Sequence, residues 1–79
     1  MDVSKAISKR IEQLCDENDI TINRLGTLSG VTQSTIFSII QGSSKNPGIK
    51  TIHKLCVALD VTLYEFFDSP YFDNLDQYY

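Results

Sequence analysis

Residues 20–42 read ITINRLGTLSGVTQSTIFSIIQG, and the placing of threonine and glycine in this stretch decides the fold. Thr21 and Thr32 each follow a β-branched apolar residue, Ile20 and Val31. A threonine hydroxyl at an N-cap accepts a hydrogen bond from a backbone N–H left unpaired in the first helical turn, and the apolar residue before it staples onto the fourth helical position, here Leu25 and Ile36. Gly30 and Gly42 stand just past the two segments, where a left-handed backbone closes a helix and glycine adopts it without strain. The stretch therefore predicts two short helices with a very short connection between Leu28 and Thr32. Leu25, Val31, Ile36 and Ile39 supply the wedge between them, and the small Gly26 lets the second helix approach closely. Glycine at that position costs about 1 kcal/mol of helix stability relative to alanine.

Working outward, Val3, Ile7, Ile11 and Leu14, widened by Ala6 and Cys15, form the apolar stripe of a first helix ending near Asn18 and Asp19. Val61-Thr62 repeats the start signal, with Glu65 completing a capping box and Phe66 at the staple position. Ser43 to Gly48 is a polar loop, after which Ile49, Ile52, Leu55, Cys56 and Leu59 resume helical spacing. That fourth helix starts either with Pro47, capped by Asn46, or two residues later. No period-2 run survives, so the expected class is all-α: a compact five-helix domain over residues 1–67, followed by an acidic and aromatic tail over 68–79. The expected core joins Ile7, Ile11, Leu14, Leu25, Val31, Ile36, Ile39, Ile52, Leu55, Leu59 and Phe66.

Seventy-nine residues, 42% hydrophobic and 22% charged, suit one globular domain and exclude disordered and fibrous classes. No apolar run approaches the roughly 20 residues that cross a bilayer, and no signal peptide is visible, which sets the expectation of a cytoplasmic protein without a membrane partner. Cys15 and Cys56 lie on apolar stripes and read as reduced core residues. With one histidine, His53, and no CxxC pair, zinc lacks ligands at workable spacing. His53, between Ile52 and Leu55, reads as a partly buried structural residue. No nucleophile and base fall into a recognisable constellation, so neither an enzyme nor a cofactor is expected. The net charge of −3 is uneven: residues 1–64 carry seven basic and six acidic residues, and Glu65, Asp68, Asp73 and Asp76 follow with no cation among them. The body is nearly neutral and the acidity belongs largely to the tail.

The stretch from Ile20 to Gly42 resembles the helix-turn-helix of the lambda-repressor-like, Cro-type family, also called the XRE family. The resemblance is carried by Thr21, Leu25-Gly26, Gly30-Val31-Thr32, Ile36 and Gly42. Residues 47–67, PGIKTIHKLCVALDVTLYEFF, are similar to the family's fourth and fifth helices, so the likeness runs from Ser4 to Phe67. It implies a helix-turn-helix made by the second and third helices, with the third entering the major groove of double-stranded DNA. It further implies base readout by Gln33, Ser34, Phe37 and Ser38, with Gln33 able to pair with adenine N6 and N7 and Phe37 able to meet a thymine methyl. Phe37 also has a plainer reading as an exposed or self-associating aromatic. Phosphate contacts are expected from Arg10, Arg24, Thr32, Ser43, Ser44, Lys45 and Lys50, and each of the cations also reads as an ordinary solvated charge. Two positions depart from the family: Ile22 stands where glutamine often meets a phosphate, and Ile40 stands where glutamate often provides a polar tie.

The tail, DSPYFDNLDQYY from Asp68, reads either as a frayed end or as a docking segment whose Tyr71, Phe72, Leu75, Tyr78 and Tyr79 cover a protein partner. The leading function is a transcriptional regulator binding operator DNA as a homodimer, formed at least on DNA, since one recognition helix reads only a few base pairs. The alternative is a protein-interaction module, such as an antitoxin-like subunit with secondary DNA binding. Non-specific coating of nucleic acid fits poorly with a nearly neutral body.

Overall fold

The computed structural model describes residues 1–42 and 46–77. Helix α1 runs Val3–Glu17, α2 Ile22–Ser29, α3 Gln33–Gln41, α4 Ile49–Ala58 and α5 Leu63–Phe67, followed by a short 3-10 turn at Pro70–Phe72. There is no strand among the described residues. All three threonines cap as their positions predict. Thr21 accepts from the Arg24 N–H at 3.1 Å and Thr32 from the Thr35 N–H at 3.3 Å. Thr62 and Glu65 close a reciprocal capping box at 3.0 and 2.9 Å. Helix α4 starts two residues after Pro47, with Gly48 at its N-cap.

Helix α1 packs on α3 and on the 3-10 turn, α2 packs on α3 and α4, and α4 packs on α5. Every expected core residue is buried in one cluster, with Cys15 and Cys56 among them. Leu25, Ile36, Leu55, Cys56 and Phe66 have no exposed surface, so α3 rests on a rigid apolar floor. Burial pushes both thiols up from their ordinary pKa, at Cys15 with added repulsion from Asp16 and Glu12, and at Cys56 with Arg10 pulling the other way. Both remain free thiols. His53, expected to be partly buried, is instead exposed: Ile52, Leu55 and Cys56, with Leu59 at the C-cap, fill the inward stripe of α4, and His53 falls one residue outside it. No described helix is long and apolar enough to cross a membrane.

The reading of the tail as a frayed end needs revision as far as Gln77. Ser69, itself buried, caps the 3-10 turn by accepting from the Tyr71 N–H at 3.3 Å. Phe72 packs against the core, edge-on to Phe67 with ring centroids 5.1 Å apart. Further on, the Asp76 N–H donates to the Met1 carbonyl at 3.0 Å, and the Met1 ammonium meets the Asp76 carboxylate at 3.2 Å. Phe72 therefore lies against its own chain, while Tyr71 and Leu75 are half-buried. Tyr78 and Tyr79 lie outside the described residues.

Candidate nucleic-acid interface

The second and third helices form the expected pair, joined through Gly30 in the left-handed conformation at φ +74° and Val31. The turn is held from within: the Val31 N–H donates to Ser29 Oγ at 3.1 Å and the Gly30 N–H to the Gly26 carbonyl at 3.0 Å. With Ile36 and Ile39 buried, Gln33, Ser34 and Phe37 are left exposed and Ser38 half-buried. Gln41, not singled out by the resemblance, is exposed as well, and its spacing of four from Phe37 and Gln33 sets all three on one stripe. This face holds amides, hydroxyls and one aromatic ring. No charged residue occurs in α3 or at its two caps.

Braces fix the height of α3. The Ser8 hydroxyl donates to the Ile40 carbonyl at 2.9 Å, so the last turn of α3 has a polar tie to α1 although Ile40 offers none by its side chain. Ile40 packs against the core instead, as does Ile22 at the start of α2. At the other end, Thr32 is committed to capping, and its hydroxyl lies 2.8 Å from that of Thr35 and 3.3 Å from that of Ser34.

The expected phosphate contacts divide. Arg24, at the third position of α2, and Lys50, at the second of α4, are exposed. Ser43, Ser44 and Lys45 lie outside the described residues. Arg10 is engaged elsewhere: its guanidinium donates at 2.7 Å to the Phe66 carbonyl, the Glu65 carbonyl and Gln13 Oε1. It closes the C-terminal end of α5, where carbonyls lack helical partners and a cation suits the dipole. Lys5 and Lys9 line a groove between α1 and the end of α3 together with Ser8, Gln41 and Gly42, and the carboxylates of Asp2 and Glu12 line it too. The spacing of four between the two lysines on α1 was the available signal. The groove at the opposite end of α1, lined by Glu12, Asp16 and Asp19 beside Thr21, is acidic and repels phosphate.

The profile of the helix-turn-helix family HTH_3 matches residues 11–66. The HTH-type transcriptional regulator PuuR of Escherichia coli K12 and that of Shigella flexneri are each 33% identical to the chain over 69 residues, 87% of this chain and 37% of theirs. The chain thus spans little more than a third of the length of these curated relatives. Among solved structures, the prophage Lp1 protein 11 superposes with a TM-score of 0.83 at 36% identity, covering 95% of this chain and all of that one. An HTH_3 family transcriptional regulator from Vibrio cholerae shares the fold, with a TM-score of 0.78 at 22% identity over 86% of this chain and 38% of its own.

Proposed function

The chain belongs to the HTH_3 helix-turn-helix family, of the Cro and lambda-repressor type, and from that premise we propose that it is a sequence-specific transcriptional regulator reading operator DNA in the major groove as a dimer. The family is one of DNA-binding regulators and not of enzymes. The observation that carries the proposal is the exposed, uncharged stripe of Gln33, Ser34 and Phe37 on a helix held by Thr32 at one end and Ser8 at the other. A face without charge has no strong affinity for phosphate, so what it offers is hydrogen bonding and apolar contact with base edges. Anchoring is assigned to the exposed cations Lys5, Lys9, Arg24 and Lys50, and to Lys45. The dimer is proposed through the apolar surface left open at Leu63, Tyr64 and Phe67 of α5.

Selection from randomised duplex DNA tests this reading. The expected result is an inverted repeat with half-sites about 34 Å apart, one turn of B-DNA. A recovered pool with no common sequence would overturn it and leave the protein-interaction reading as the better account.

A further inference from the structure

Gly26 lies in the interior of α2, buried, and its φ is not positive. The backbone there accepts any residue, so conformation does not explain a glycine that gives up helix stability. Packing does. A Cβ added at Gly26 would stand 3.2 Å from Gln33 Cγ, 3.3 Å from the Val31 carbonyl oxygen and 3.7 Å from Ile36 Cδ1. Its closest neighbour is the stem of the side chain that opens the exposed face of α3. The Gln33 amide meets no hydrogen-bond partner among the described residues, so nothing at its far end orients it. The direction in which the amide leaves the protein is set by where its stem rests.

We propose that Gly26 is a specificity-positioning residue: its missing side chain is the seat for the stem of Gln33, and the depth of that seat aims the Gln33 amide at the base it reads. The inference rests on the DNA-reading function proposed above. Glutamine reads adenine with two hydrogen bonds at once, a geometry that tolerates little displacement. A methyl group at position 26 forces the stem outward by a few tenths of an ångström or rotates it to another rotamer. Either change breaks the two-bond register while leaving α2 a better helix former.

The test is a double-mutant cycle of Gly26→Ala and Gln33→Ala, read by binding to a selected duplex and by urea unfolding. Gly26→Ala is expected to weaken binding to the preferred duplex by about tenfold and to flatten the base preference at one position per half-site, with affinity for unrelated duplex unchanged. In the Gln33→Ala background the same substitution is expected to do nothing to DNA binding, because the atom it displaces is gone. Should Gly26→Ala alone fail to fold while the double variant folds, the steric seat is supported. Should neither fold, or should Gly26→Ala weaken binding equally in both backgrounds, the Val31 carbonyl contact governs and the proposal falls. Unchanged affinity and base preference in Gly26→Ala would also overturn it. If wild-type protein selects no sequence at all, the regulator reading itself has failed; loss of coupling with selection intact is a failure of this inference alone.

Discussion

Residues 15–21 and 56–62 build the same corner twice, and the two copies differ at one informative place. The first reads Cys15-Asp-Glu-Asn-Asp19-Ile20-Thr21 and the second Cys56-Val-Ala-Leu-Asp60-Val61-Thr62. Each has an aspartate in the left-handed region, at φ +54° and +59°. The N–H of the next residue reaches back to the cysteine carbonyl, at 2.9 Å from Ile20 and 3.0 Å from Val61. That bond closes the preceding helix in a Schellman motif, and the threonine then opens the next helix. Three residues after the threonine, however, the corners diverge. Glu65 returns its carboxylate to the Thr62 N–H and suits the positive end of α5, whereas Arg24 makes no such bond and places a cation where the helix dipole disfavours one. The corner leading into α5 is arranged for stability. The one leading into the helix-turn-helix gives some of it up and leaves an exposed cation in the first turn of α2.

The largest effect that tests this contrast comes from Arg10, which reinforces only the second corner's helix. Arg10→Met is expected to lower stability by about 2 to 3 kcal/mol, because two carbonyls of α5 lose charge-assisted bonds; urea unfolding measures it. An unchanged midpoint would show that α5 is held by Phe66 burial alone. Next come the caps. Thr62→Ala, which dismantles a reciprocal pair, is expected to cost about 1 to 2 kcal/mol, and Thr21→Ala about 1 kcal/mol or less. Equal losses would erase the distinction between the corners. Smaller still, and with opposite signs in two assays, is Arg24→Glu. It copies the second corner into the first and is expected to add about 0.5 kcal/mol of stability. The same change should weaken DNA binding on every sequence and make the salt slope shallower by about one unit.

The cysteines of the two corners contribute least to the pH dependence of stability near neutrality. Both thiols have folded pKa values raised above the ordinary range, chiefly by burial. A raised folded pKa means that the stabilisation is complete below the unfolded thiol pKa of about 8.5 and declines as pH rises past it toward the folded value. Unfolding midpoints should therefore be insensitive to these groups between about pH 6 and 8 and fall at higher pH, with Cys15→Ala and Cys56→Ala variants removing part of that fall.

The core was legible because burial follows helical spacing, and all eleven residues from Ile7 to Phe66 expected in it are there. Threonine and glycine marked helix ends because their chemistry is local. The left-handed aspartates went unread although the two corners echo each other, since aspartate adopts that conformation less often than glycine or asparagine and signals it weakly. The tie of Arg10 to α5 went unread for a different reason: a sequence shows a charge but not its partner, and the partners lie 55 and 56 residues away. His53 was placed inward because its neighbours are apolar, when a single residue turns a helix by about 100°. The tail gave no periodic signal, and Phe72 is ordered by tertiary contact with Phe66 and Phe67. On the proposed DNA face, Gln33, Ser34 and Phe37 were readable from what the core left over. Lys5, Lys9 and Gln41 required knowing which faces of α1 and α3 meet.

Whether α3 reads bases through Gln33 is decided by the binding of wild-type and Gln33→Ala protein to a selected operator and to its single-base variants. Gln33→Ala is expected to weaken binding to the operator by about 1 to 3 kcal/mol and to abolish discrimination at one position per half-site, with the other positions and the salt slope unchanged. Unaltered affinity and unaltered discrimination at every position would contradict base readout by Gln33.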